Sequence, residues 1–398
     1  MSTMPIYALV DTWNSAGTTF TGIGLNVTDT ASAAGSLLMD LQVGGTSQFR
    51  VSKGGRVTAQ TLTIGLGGQT AVASNTALGF EALNSASLTG VNNVGVGYRA
   101  LQNNTSGPQG TAVGHAALQN NTTGDSNVAV GLFSLRNNTT ASFSTAVGTG
   151  SALYFNTANN VAVGYEALRG STTVANNTAG NTTAVGYLAL RVLTSGIGNS
   201  AVGYLTLLAC TTGVNNSAFG SSSLVAVTTG SGNTGIGNIA GVDTTTGEDN
   251  TAIGNTALRR NTTGNNSTAI GTQALERFVA NTNTALGCRA LRGGDATPAN
   301  NTGTNNIAIG YQAGDAITTG STNIVIGHDI DVDSPTGSNQ INIGDRYYHN
   351  RMRLVETTDP AAPAADNAII FVRDNGSGKT QLCVRFPTGA VQVISTEP

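Results

Sequence analysis

The hydrophobic pattern of this chain is a short step that recurs along most of its length. Each step runs through a β-branched residue or Ser, then Ala or Gly, then a large apolar residue, then Gly, as in "TAVG" at 111–114. Alternation with period two is typical of a β-strand, so each step predicts one short strand. A fixed short period, usually 17 residues here, predicts a solenoid. The sixteen repeat glycines are Gly79, Gly97, Gly114, Gly131, Gly148, Gly164, Gly186, Gly203, Gly220, Gly237, Gly254, Gly271, Gly287, Gly310, Gly327 and Gly344.

The positions within one repeat lead us to expect a particular core. We interpret the large apolar residue before Gly as facing inward, and Leu four residues after Gly as a second inward contact on a returning strand. The Ala row would then lie outside, where small side chains let sister copies approach closely. The expected core ladder includes Val113, Val130, Val147, Val163, Val185, Val202, Ile253 and Ile270.

Two corners close each predicted coil of strand, corner, strand, corner. The repeat glycine would supply a positive φ or a close backbone approach. Asn-Thr-Thr-Gly, as at 121–124, would make the second corner. Coils stacked about 4.8 Å apart would form a rod on the order of 75 Å long. The corner glycines expected to matter most include Gly114, Gly131, Gly148, Gly164, Gly254 and Gly271.

The repeat divides the chain into three regions. Residues 71–344 form the predicted shaft, residues 1–70 an N-terminal β-rich attachment or capping region, and residues 345–398 a C-terminal β-meander tip. "LLMDLQV" and "TSQFRVS" flank Gly-Gly at 44–45, which predicts a β-hairpin. Exposed edges at both ends of a solenoid favour small β caps there.

Composition excludes several partners. Only 10% of the residues are charged and the net charge is −3, so nothing favours binding to nucleic acid. The N-terminal sequence has no basic and apolar regions typical of a secretory signal, and no apolar run is long enough to span a bilayer. We therefore expect synthesis in a cytoplasm without membrane insertion. The three scattered cysteines predict buried, unpaired thiols.

No set of residues predicts catalysis. Twelve carboxylates lie scattered between residues 71 and 344, which nominates no acid–base pair, and no Ser/His/Asp or Cys/His set stands out. The glycine-rich "GVGYRA" and "GIGNIAG" lie in the repeat register without a following helix. Asp329, Asp331 and Asp333 alternate like a calcium loop, but Gln340 stands where such a loop needs Glu, so outward carboxylates are the preferred interpretation. We expect no enzyme activity, cofactor or metal.

Residues 305–327, "NNIAIGYQAGDAITTGSTNIVIG", resemble the head repeats of trimeric autotransporter adhesins. The resemblance covers about residues 71–344 and implies a parallel β-roll in a homotrimer. Similar repeats occur in bacteriophage tail fibres, and the flanks at 32–57 and 364–394 look like segments of such fibres. The resemblance implies a structural, receptor-binding virion fibre that attaches to other tail proteins through its N-terminus and to a host-surface glycan or protein elsewhere.

Three alternatives stay open at this stage: a bacterial surface adhesin, a polysaccharide-depolymerising tailspike and, more weakly, an ice-binding rod. Virion attachment would involve the aromatic residues of the N-terminal region, which are Tyr7, Trp13 and Phe20. Receptor contacts would come from the patch after the shaft, which is dense in charged and aromatic residues, or from two corner insertions at 169–180 and 292–303, which could equally be neutral. The receptor candidates are Tyr347, Tyr348, His349, Arg351, Arg353, Thr172, Thr173 and Asp295.

Overall fold

The fold was analysed in a computed structural model of the chain. It describes residues 37–43, 46–52, 57–59, 62–65, 74–294, 297, 300–344, 369–377, 379–386 and 390–396. These residues form an all-β structure that includes a short 3₁₀ turn, Val174–Asn176. The all-β solenoid predicted from the repeat is confirmed.

Sixteen three-residue strands, one per repeat, form the shaft. Each pairs in parallel with the next strand along the chain and in matching register, so that Thr111, Ala112 and Val113 lie beside Val128, Ala129 and Val130. Hydrogen bonds between coils continue beyond the strands, since the Leu101 amide donates to the Ala117 carbonyl at 3.0 Å. The strands are β5 (Thr76–Leu78), β6 (Val94–Val96), β7 (Thr111–Val113), β8 (Val128–Val130), β9 (Thr145–Val147), β10 (Val161–Val163), β11 (Thr183–Val185), β12 (Ser200–Val202), β13 (Ser217–Phe219), β14 (Thr234–Ile236), β15 (Thr251–Ile253), β16 (Thr268–Ile270), β17 (Thr284–Leu286), β18 (Ile307–Ile309), β19 (Ile324–Ile326) and β20 (Ile341–Ile343).

The predicted inside and outside of the strand are reversed. Ala112 and its equivalents are fully buried within the coil, whereas Val113 is 37% exposed. The Ala row therefore cannot contact sister copies. The outward residues include the whole expected core ladder: Val113, Val130, Val147, Val163, Val185, Val202, Ile253 and Ile270.

The reason for this reversal is the Leu of the returning segment. Leu83, Leu118 and their equivalents are buried, as expected, and they fill the narrow interior against the middle residue of the strand. A Cβ placed on Gly95, the middle residue of β6, would lie 3.2 Å from Cγ of Leu83. The interior beside the Leu row is narrow, so the middle position of β5–β18 takes Ala or Gly and the larger side chains point outward. In β19, where Gly314 stands in the Leu position, the buried middle residue is Val325.

The returning segment is a series of turns and not the expected strand. Leu118 has φ 49° and Ala116 has φ 55°, both in the left-handed region. Ser126, before the next strand, has φ 55°. These values recur at equivalent positions along the shaft, so each coil bends at several non-glycine residues.

Both properties predicted for the corner glycine, a positive φ and a close backbone approach, are confirmed. Gly131 has φ 128°, and a Cβ placed there would lie 2.7 Å from the carbonyl carbon and oxygen of Gly148 in the next coil. The coils therefore approach each other too closely for a side chain where the repeat glycines stack.

Antiparallel strands precede and follow the shaft strands in the sequence. The predicted hairpin is confirmed as β1 (Leu37–Val43) paired with β2 (Thr46–Ser52), followed by β3 (Val57–Ala59) and β4 (Leu62–Gly65). β4 pairs antiparallel with β5 through Ile64 and Leu78, which joins these strands to the shaft sheet. A separate sheet comprises β21 (Ile369–Asp374), β22 (Thr380–Arg385) and β23 (Gln392–Thr396).

Candidate functional site

The shaft's most extended surface feature is a strand face with two rows of outward side chains. We call the first residues of β5–β20 row A and the third residues row B. Row A is Thr76, Val94, Thr111, Val128, Thr145, Val161, Thr183, Ser200, Ser217, Thr234, Thr251, Thr268, Thr284, Ile307, Ile324 and Ile341. Row B is Leu78, Val96, Val113, Val130, Val147, Val163, Val185, Val202, Phe219, Ile236, Ile253, Ile270, Leu286, Ile309, Ile326 and Ile343.

Row B is apolar at every level yet only partly covered. Phe219 is 40% exposed, Ile236 41% and Leu286 46%, and at the last coil Ile343 reaches 59%. A monomeric protein rarely exposes a contiguous apolar patch of more than a few hundred Å². The two rows follow the strand face along the whole shaft, so the described residues form a half-exposed surface of the kind that mediates association.

A further row, separate from rows A and B, consists of the residues directly after the corner glycines and carries stacked aromatic rings. Tyr165, Tyr187 and Tyr204 stack with centroids 5.5 and 5.4 Å apart. His115 and His328 belong to this row, with centroids 4.9 Å from Tyr98 and 5.1 Å from Tyr311. Such contacts stabilise neighbouring coils, so both histidines are members of this row of rings.

Buried asparagines form an internal ladder just before the strands. Nδ2 of Asn216 donates to the Gly230 carbonyl at 2.9 Å and to Oδ1 of Asn199 at 3.2 Å. Oδ1 of Asn216 accepts the Asn233 amide at 3.0 Å. The Asn that recurs before most strands was the sequence signal, and its burial and hydrogen bonding give it a structural role.

Charged side chains on the shaft pair between consecutive coils. Nε of Arg191, in the next coil, lies 2.6 Å from Oε2 of Glu166, while Nε of Arg169, in the same coil as Glu166, lies 3.6 Å from its Oε1. Arg99 pairs with Glu81 in the same way, at 2.6 Å. These partly exposed pairs hold neighbouring coils together.

The first corner insertion projects exposed threonines. Thr172 and Thr173 are exposed and precede the 3₁₀ turn, while the buried Asn177 anchors the loop. Asn177 Nδ2 donates to the carbonyls of Tyr154 at 3.0 Å and Ser171 at 2.8 Å. These threonines therefore lie on a loop that the Asn177 hydrogen bonds hold in place. Their role in receptor binding stays a prediction. The remaining site candidates lie outside the described residues: Asp295, Tyr7, Trp13, Phe20, Tyr347, Tyr348, His349, Arg351 and Arg353.

The acidic run near the last coil alternates with buried apolar residues. Asp329 and Asp333 are exposed, whereas Ile330 and Val332 are buried. Burial raises the pKa of Asp331 to about 6, opposed by a hydrogen bond from the Ala316 amide and reinforced by the nearby acidic groups. Among the described residues, no group of three His, Cys, Asp or Glu side chains could hold a metal ion.

The cysteines are free thiols. Cys210 and Cys383 are buried and Cys288 is partly exposed. Burial raises the pKa of Cys210 to about 11, so this thiol stays protonated near neutral pH.

Comparison with known proteins assigns no family. No protein-family model matches the chain, and neither a curated protein nor a solved structure matches it. Within the described part of the chain, no helix is both long and apolar enough to cross a bilayer.

Proposed function

We propose that this chain is a structural, receptor-binding tail fibre of a bacteriophage virion, assembled as a homotrimer. The proposal rests on the half-exposed apolar face formed by rows A and B. The resemblance of residues 305–327 to trimeric adhesin heads and phage fibres supports the number of chains and the viral setting.

The dimensions of the face favour association along the whole shaft. Its two rows lie about 7 Å apart on strands that span about 75 Å, which gives on the order of 500 Å² before the width of the side chains is counted. A standard protein interface buries about 800 Å² per partner. Three chains turned with this face toward a common axis would cover it, and the fibre would hold a receptor-contact surface away from the particle.

In this proposal the N-terminal region docks on other tail proteins, and the corner insertion or the C-terminal tip contacts a host-surface glycan or protein. Thr172 and Thr173, which the structure describes as exposed, are the candidates that can be tested first. Substituting both with Ala should lower adsorption to host cells without changing thermal stability. Thr212 and Thr229, exposed on unmodified corners, provide the matched double-Ala control.

The decisive experiment measures the mass of the oligomer in solution and the location of the chain on the virion. Analytical ultracentrifugation of the purified protein should give a particle of three 40.0 kDa chains, and antibody labelling in electron micrographs should mark the tail. A monomer in solution would contradict the homotrimer. Release of oligosaccharides from host capsule, abolished by one carboxylate substitution, would replace the binding role with a depolymerase.

A further inference from the structure

The chemistry of row A is not uniform along the shaft. In β5–β10 it alternates Thr and Val, from Thr76 to Val161. In β11–β17 every member is Thr or Ser, and in β18–β20 every member is Ile. Row B has no such division, because it is apolar at every level.

A periodic shaft has a register problem that row A can solve. The parallel strands of neighbouring coils match residue for residue, so two copies could pack almost equally well when offset by one coil or more. From the three segments of row A we infer that this row selects parallel, in-register association of copies of this chain. The inference rests on the proposed homo-oligomer and specifies how its chains align.

The alternating segment rejects odd offsets. With a shift of one coil, each Val in β5–β10 would face Thr of the neighbouring copy, as when Val94 meets Thr111. A hydroxyl facing an apolar partner in a closed interface loses its water without gaining a hydrogen bond. At zero offset, Val meets Val, while Thr meets Thr and the hydroxyls can pair.

The isoleucine segment rejects the even offsets that alternation permits. A two-coil shift restores Val-to-Val contacts but places Ile307 and Ile324 against Thr268 and Thr284. In the other copy it leaves Ile341, which is 69% exposed in the single chain, with no level to meet. Reversed chains would set β18–β20 against the Thr and Val levels of β5–β7. Only the parallel arrangement without offset satisfies both segments.

The occupant of this surface is a second copy, because another copy repeats at the same rise and carries the same three segments of row A at the same levels. The coils are spaced by backbone hydrogen bonds between strands, about 4.8 Å apart, and another copy has the same spacing at every level. A partner of different spacing would match row A at a few levels only.

The first test inverts the alternation without changing composition. The variant carries Thr76→Val, Val94→Thr, Thr111→Val, Val128→Thr, Thr145→Val and Val161→Thr, and it is co-expressed with the original chain under a different affinity tag. Both chains should assemble with themselves. Mixed oligomers should fall at least about tenfold below the binomial proportion, which corresponds to about 1.4 kcal/mol. Differently tagged copies of one chain provide the control that should reach that proportion.

The second test reads the register directly. Two separate variants, Ser200→Cys and Ser217→Cys, are each made in a Cys288→Ser background. They place single thiols on row A at positions one coil apart, while the remaining cysteines are buried. Oxidation should cross-link chains carrying the same substitution and leave pairs carrying different substitutions largely uncoupled. Thr212→Cys, exposed on another side of the coil, should not cross-link.

The outcomes separate this inference from the proposed function. Binomial mixing, an inverted chain that stays monomeric, or preferential cross-linking between different levels would overturn the register role while leaving the homo-oligomer of the original chain intact. A monomer for the original chain would overturn both.

Discussion

At the corner of each coil the backbone leaves room only for hydrogen. Gly131 combines φ 128° with an approach to the Gly148 carbonyl that no side chain could share. Gly150 offers a contrast in the next coil: its φ is 66°, but a Cβ there would meet only Cγ of Glu166, at 3.5 Å. Backbone strain and steric conflict can therefore be separated by experiment.

Gly131→Ala should lower the free energy of unfolding by about 3 kcal/mol or more, because strain and a backbone clash add. Gly150→Ala should cost only about 1 kcal/mol, from the left-handed conformation alone. Thermal melts at equal protein concentration compare the two. Equal costs would show that φ, and not the approach between coils, explains the repeat glycine.

The pKa of Asp331 predicts the pH dependence of the last coils. Because the folded-state pKa is raised from 3.8 to about 6, the ionised carboxylate is destabilising when folded. Stability from this group should therefore be fully present below pH 4 and decline as pH rises through 6. Asp331→Asn should remove this dependence and raise stability at pH 7.5 by about 1 kcal/mol, allowing for solvent screening.

Thermal melts between pH 4.5 and 7.5 measure this effect, and Asp333→Asn, at an exposed position, provides the control. A variant that is less stable than the original chain at pH 7.5 would contradict the prediction.

At the scale of the element, one coil is the unit of both sequence and structure. Each strand pairs only with its neighbours, the Gly row repeats at every level, and the Leu and Asn rows recur at most levels. Stability of such an array is approximately a sum of coil terms and nearest-neighbour terms. A coil can therefore be removed whole, but not in part.

Deleting residues 234–250, one whole coil, should leave a folded shaft because β13 then pairs with β15 in the same register. Deleting residues 234–242 instead should disrupt folding of the neighbouring coils, since the Leu and Asn rows no longer align. Circular dichroism and thermal melts distinguish the two deletions. Equal loss of structure in both would contradict the coil as the unit.

At the scale of the whole molecule, the outward face decides how the chain associates. Ile236 and Ile253 lie on it in adjacent coils, whereas Thr229 and Thr246 are exposed elsewhere on the same stretch of shaft. Charges buried in an interface without partners are costly, while charges at a solvated surface cost little.

The double substitution Ile236→Asp and Ile253→Asp should therefore shift the oligomer toward monomer by at least tenfold in the association constant, because each unpaired buried charge costs more than about 1.4 kcal/mol. Thr229→Asp with Thr246→Asp should leave the mass unchanged. Sedimentation at several concentrations measures both. An unaffected oligomer in the first variant would place the contact on another face.

The repeat spacing, the strands, the corner glycines, the inward Leu and the hairpin at 37–52 followed from the sequence, because each is a local or periodic property of the residues themselves. Which face of the strand points inward did not follow from the sequence, since an alternating triplet has the same period whichever face is buried. That choice was decided by the returning Leu row, which leaves so little space that the residue facing it is Ala or Gly in β5–β18, while larger side chains such as Val113 face outward. The left-handed Leu residues also depend on tertiary structure, because stacking between coils holds them in a conformation that Leu alone disfavours.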